Sequence, residues 1–252
     1  MSDGQYLYCI AQTSEITPLT SASMGDSDAT PLETIHYQDL TAVISHSPIQ
    51  TYERSRRYMT THTKVLEEVM ANYPILPVQF GTVAPDKNCI TDKLLERRYD
   101  ELQTKFEQIA GKIELGLKVI WYKDVVFEGI LEETPSIRTL RDQLLNQSEA
   151  ESYYDRIELG KMVEAALEAK RVATYETILD PLRPIAHAVK EKPPQMDRMV
   201  VNAAFLIEAQ QEAVFDAAIQ ELDAVLGKQM LFKYVGPVPP YNFVNIVVNW
   251  ED

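Results

Sequence analysis

Residues Lys112–Trp121 read KIELGLKVIW. Ile113, Leu115, Leu117, Val119 and Trp121 occupy every second position, with Glu114, Gly116 and Lys118 between them. Side chains of an extended chain point alternately to its two faces, so this spacing predicts a strand with one face buried. Gly111 stands just before it, after an amphipathic segment that ends near Ile109. A helix stop, a glycine and a fresh apolar strand mark the start of a second domain. Gly116 has no side chain, which predicts close approach by a neighbouring backbone or bulky group there.

Downstream, 124–133 and 136–145 read as short helices broken at Pro135. A long alanine-rich helix follows over 151–179, with Leu159, Met162, Ala166, Ala169 and Ala173 as a narrow face of mostly small residues suited to a closely packed neighbour. Asp180 and Pro181 interrupt it, and a shorter helix is expected to reach Lys190, ahead of Pro193 and Pro194. The run MVVNAAFLI at 199–207 is apolar almost throughout, the mark of a strand covered on both faces. An amphipathic helix over 209–226 rests on Phe215, Ile219, Leu222 and Leu226 and stops at Gly227. A last strand spans 229–235. Strand, helices, strand, helix, strand is the order of a split βαβ layer, so 111–235 is expected to be a modified ferredoxin-like domain with a long helical insert.

Upstream, QYLYCIA at 5–11 reads as a strand covered on both faces, and 13–31 as a long surface loop. Short β-prone runs at 34–37 and 40–45 flank Gln38 and Asp39, a hairpin. A helix over 52–72 aligns Tyr58, His62, Val65 and Val69. LPVQFGTV at 76–83 alternates as a strand, with Pro77 placing it at an edge or at its own start. A helix over 91–110 carries the stripe Leu95, Tyr99, Leu102, Phe106 and Ile109. These elements make 1–110 a first α+β domain. The tail, 236–252, opens with GPVPPYNF, an extended and stiff segment. Val244, Ile246, Val248 and Trp250 then alternate as a terminal strand. It either docks on its own protein, the favoured reading, or is donated to a neighbouring subunit.

At 252 residues the chain can form one large domain or two modest ones that each bury a core, and its 45% hydrophobic and 25% charged shares are those of an ordinary soluble protein. No apolar run is long enough to span a bilayer and no signal peptide is visible, which predicts an intracellular protein. The net charge of −14 is spread along the chain: 1–110 carry 15 acids against 9 bases, and 111–252 carry 23 against 15. That balance argues against nucleic acid and anionic membrane as partners. Cys9 and Cys89 are too few for a disulfide framework or a thiolate metal site.

No P-loop, dinucleotide fingerprint, HExxH, GxSxG or CxxC occurs. His36, His46, His62 and His187 are scattered, none three or four residues from another, and His62 falls on an apolar helix stripe as a core histidine. No catalytic, cofactor-binding or metal-ligating residue is therefore assigned. Glu53, Arg54, Arg56 and Arg57, at the start of a helix, form the most concentrated charge reversal of an acidic chain. Arginine suits bidentate carboxylate contact, although a solvated helix face is the commoner reason for such a cluster. The residues taken as interaction candidates are Arg54, Arg56, Arg57, Phe243, Val244, Ile246 and Trp250.

Three stretches, LPVQFGTV (76–83), KIELGLKVIW (112–121) and YVGPVPPYNFV (234–244), resemble in content and order the gas vesicle protein GvpF/GvpL family, nearest its GvpF members. The opening strand and the 52–110 region fit as well. One departure is Gln79, where the family often carries arginine, which weakens the idea of a required positive charge there. The resemblance implies a non-enzymatic minor structural or assembly component of gas vesicles. Such a protein would bind the shell's rib protein and accessory proteins, and its expected place is the vesicle's inner, gas-facing surface. The alternative is a small-molecule-binding sensor or enzyme on a ferredoxin-like sheet, with Arg54, Arg56 or His62 lining a polar pocket. A filled, apolar interior at that place would favour the binding reading.

Overall fold

The first sheet is organised around β1 (Asp3–Gln12), which is buried along almost its whole length. The structure is a computed structural model and describes residues 3–17, 19, 31–145, 147–148 and 152–251. The chain divides into two units, one of Met1–Glu114 with Pro237–Asp252 and the other of Leu115–Gly236. Both mix helix and sheet, so the protein is α+β with two sheets.

In the first unit β1 pairs antiparallel with β3 (Leu40–Pro48), which pairs in turn with β2 (Glu33–Tyr37). Tyr37 lies opposite Leu40, so Gln38 and Asp39 form a two-residue turn, with Gln38 at φ 53° as such hairpins require. A register shift between Leu7 and Cys9 breaks the alternation of β1. Leu7 and Ile10 join one core cluster, while Tyr6, Tyr8, Cys9 and Ala11 join another. A bulge turns two successive residues to one face, which is why QYLYCIA shows so little periodicity in sequence. Most of the expected loop over 13–31 falls outside the described residues.

Helix α1 (Arg56–Met70) is capped by the Ser55 hydroxyl, which accepts from Tyr58 N, and it buries His62, Val65, Leu66 and Val69. LPVQFGTV does not form the single strand expected of it. It gives β4 (Ile75–Pro77) and β5 (Val83–Ala84), both paired with β1; between them Val78 N and Thr82 O still bond to Tyr8 O and Leu7 N, and the intervening residues turn. Cys9 faces Pro77 and Tyr6 faces Val83, so the motif is longer than the stretch of β1 it follows. The excess closes as a turn in which Thr82 N donates to Gln79 O at 3.2 Å, with Gly81 at φ +87°. The expected helix over 91–110 is also divided. Short α2 (Lys87–Cys89) runs into a π-helical segment, Ile90–Glu96, before α3 (Tyr99–Ile109). The wider π turn brings Ile90, Leu94 and Leu95 all to the buried side, ahead of Leu102 and Phe106 of α3.

The second unit's sheet has the order β7-β8-β6-β9, made of β6 (Lys112–Trp121), β7 (Ala188–Glu191), β8 (Met199–Glu208) and β9 (Met230–Val238). Between β6 and β7 lie α4 (Lys123–Glu133), α5 (Pro135–Leu144) and α6 (Tyr153–Leu179). Between β8 and β9 lies α7 (Glu212–Leu226). Pro135 opens α5 as a first-turn proline, where its missing N–H costs nothing. The short helix expected to reach Lys190 is absent: residues 188–191 are strand β7, antiparallel to β8. Local turns such as Arg183 N to Leu179 O and Ala186 N to Arg183 O use up the chain after α6, and Pro184 cannot continue a helix. His187 N then donates to Leu206 O at 2.8 Å and starts the pairing. Gly116 meets the expected close neighbour, since a Cβ there would stand 3.1 Å from Val235 Cγ2 on β9. β8 is buried from Met199 to Ile207, and Phe205 meets Phe215 of α7 edge-on at 5.0 Å.

Candidate interaction surfaces

The tail after β9 docks on its own chain. Val244 and Ile246 are 3% and 0% exposed and join Leu7, Ile10 and Phe106 in one core cluster, with Val248 and Trp250 packed beside it. The buried-and-exposed alternation predicted for 244–250 is present, but a regular strand is not. One parallel bridge, Val78 to Ile246, is all the ladder that forms. Ile246 N donates to Pro77 O at 3.2 Å and Gln79 N donates to Ile246 O at 3.0 Å. β4 is three residues long and its chain then turns away, so the pairing has nowhere to continue.

Side chains complete the attachment. Arg98 donates from Nη1 to Val247 O at 2.8 Å, while its Nε and Nη2 grip both carboxylate oxygens of Glu101 at 2.7 and 2.8 Å. That pairing raises the Arg98 guanidinium and lowers the Glu101 carboxyl relative to their ordinary values. Lys93 Nζ donates to Trp250 O at 2.5 Å. Glu114, only 1% exposed, accepts from Asn242 N at 2.9 Å and from Asn242 Nδ2, which stabilises a carboxylate that burial alone would penalise. Sequence reasoning missed Lys93, Arg98 and Glu114 as tail contacts. Their partners lie more than a hundred residues away, and a backbone carbonyl leaves no signal in sequence.

His62 lies inside an aromatic cluster with Tyr6, Tyr8 and Phe80, its ring stacked on Tyr8 at 5.7 Å. Tyr6 OH accepts from Gly81 N at 3.0 Å, leaving its own proton for His62 Nδ1, also at 3.0 Å. Burial lowers the imidazole pKa to about 4, so it is neutral near pH 7. Burial likewise raises the Cys9 thiol, which keeps it unreactive. Among the described residues no group of three or more His, Cys, Asp or Glu is placed to hold a metal ion.

Arg54, Arg56 and Arg57 are all exposed at the start of α1, with the Arg57 guanidinium 6.0 Å from the Tyr58 ring centroid. They form an exposed basic patch. Phe243 is half-buried; its N–H donates to Pro240 O at 3.1 Å. The sequence-derived candidates thus separate into an exposed arginine patch and tail residues packed in cis. On the second unit α6 is exposed over much of its length, with Tyr153 and Tyr154 at 60% and 82%. Only Leu167, Ile178 and Leu179 of its described residues are buried; on the face expected to meet a close neighbour Leu159, Met162 and Ala166 are half-buried and Ala169 and Ala173 exposed.

The family model described as gas vesicle synthesis protein GvpL/GvpF matches residues 4–245. Gas vesicle protein F of Nostoc sp. strain PCC 7120 is 28% identical over 249 residues, covering 98% of this chain and 100% of the relative. Gas vesicle protein F2 of Halobacterium salinarum is 27% identical over 231 residues, covering 90% and 86%. Among solved structures, the crystal structure of GvpF from Anabaena sp. PCC7120 matches with a TM-score of 0.79 and 26% identity, covering 98% of this chain and 100% of that one. That of GvpF from Microcystis aeruginosa matches with a TM-score of 0.73 and 29% identity, covering 95% and 98%.

Proposed function

Since this chain belongs to the gas vesicle GvpL/GvpF family, we propose that it serves gas vesicle assembly as a non-enzymatic minor component. In this role it binds the hydrophobic rib protein of the shell, together with accessory proteins, as the vesicle forms. The observation that supports this over a sensor or enzyme is the filled interior around His62. A small-molecule reading needs a polar pocket uniting that histidine with Arg54 or Arg56. Instead His62 is 2% exposed among aromatic rings and the two arginines face outward.

The arginine patch is the contact proposed for acidic segments of accessory proteins, through bidentate guanidinium–carboxylate pairs. The bound protein is placed on the inner, gas-facing surface, where an acidic component would be enclosed as ribs are added. Among the described residues no helix is long and apolar enough to cross a membrane. Co-expression of the tagged chain with the rib protein tests the reading: the rib protein should co-purify, and a blank result under assembling conditions would overturn it. Protease treatment tests the placement. The chain should be protected in intact vesicles and cleaved after pressure collapse, whereas cleavage in intact vesicles would put it outside.

A further inference from the structure

Helices α6 and α7 of the second unit leave an open groove. Two neighbouring cavities, about 520 and 280 Å³, share Thr177 and Leu226 in their linings. Ile130, Ala169, Ala173, Leu222 and Met230 supply apolar lining, and Val225 at the edge is 74% exposed. From Ala166 to Thr177 the α6 wall covers roughly 16 Å at 1.5 Å per residue, three helical turns.

The charges around this groove are one-sided. α7 carries Glu212, Asp216, Glu221 and Asp223 and no lysine or arginine; of these Glu221 lines the groove, whereas Asp216 accepts from Tyr234 OH at 2.6 Å. On the α6 side Lys170, which lines the groove, is paired with Glu133, which lines it too. A ligand in the groove therefore meets aliphatic side chains interspersed with Thr134, Thr174, Thr177 and Gln229, and the Glu221 carboxylate on its α7 edge. A helix suits this setting because it satisfies its own backbone, whereas the helix walls give an extended strand no edge to pair with. An acidic occupant, a second copy of this −14 chain included, would be repelled.

We propose that the groove docks one amphipathic helix of a partner protein, its buried face made of small and aliphatic side chains and its α7-facing edge lined with lysine or arginine. This rests on the assembly reading and gives it a surface and a partner chemistry. The test titrates the full chain into a labelled amphipathic peptide with a leucine–alanine face and lysine flanks, and into the same peptide with glutamate flanks, read by fluorescence anisotropy. The lysine peptide should bind roughly tenfold tighter or better. Ala173→Phe, at an exposed position, should fill the groove and abolish binding, and Glu221→Lys should reverse the preference. Absence of binding, equal binding of the two peptides, or indifference to both substitutions would overturn the proposal. If both peptides fail while the rib protein still co-purifies with the unaltered chain, the groove falls alone. If the lysine peptide binds and the rib protein does not, the assembly reading falls alone.

Discussion

The two units place their apolar residues differently. In the first, β1 supplies two core clusters, Leu7 and Ile10 to one and Tyr6, Tyr8 and Cys9 to the other, and even the terminal Val244 and Ile246 are drawn in. In the second, β8 is as deeply buried, yet the 27-residue α6 buries three described residues and leaves Tyr153, Tyr154, Ile157 and Val172 exposed. A protein that used both units only as scaffold would have little reason to keep so long a helix open to water. The first unit buries its apolar residues down to its last turn of chain, whereas the second leaves part of its longest helix open to water.

The sharpest way to break that contrast is to remove the tail. Fully burying a Val or Ile side chain contributes about 1.5–3 kcal/mol. Loss of 241–252 takes both Val244 and Ile246 and exposes the cluster they cover, so a cost of about 5 kcal/mol or aggregation is expected by urea unfolding. Unchanged melting and solubility would show the tail to be a free arm.

Next in size is the response to acid. His62 titrates near the ordinary 6.5 when unfolded but at about 4 when folded. Its neutral form is favoured by the fold, so the stability it supports is complete above pH 6.5 and is lost as pH falls towards 4. The loss between pH 7.5 and 4.5 should be on the order of 2–3 kcal/mol by linkage. A His62→Gln variant should show a correspondingly flatter profile in paired urea titrations, and an identical slope would contradict the assignment.

Smaller effects separate the attachment of the tail from its burial. Arg98→Ala removes one contact to the tail carbonyl and should cost about 1 kcal/mol, with faster proteolysis after Val247 as the specific readout. Equal proteolysis rates would show that the arginine serves Glu101 alone. Tyr154→Ser, on the open part of α6, should change stability by less than about 0.5 kcal/mol. A larger loss by the same unfolding assay would mean that this helix is structural after all.

Much of this was legible in the residues. Period-two spacing marked β6, Gly116 announced the approach of Val235, and the apolar run at 199–207 became the doubly buried β8. What failed was local preference overruled by distant partners. Residues 188–191 carry no strong strand signal and pair because Leu206 offers its carbonyl to His187 N. LPVQFGTV alternates like a strand, but its register against β1 forces the turn at Gly81. The arginine patch could be named from composition. The α6–α7 groove could not, since it depends on which side chains remain uncovered after packing.

The central claim is that this protein builds vesicles by holding other proteins, and it is tested most directly by omission. Cells expressing a complete gas vesicle gene set without this chain should yield no buoyant fraction on centrifugal flotation, and the intact chain supplied in trans should restore it. Vesicles of normal number and size formed in its absence would contradict the account.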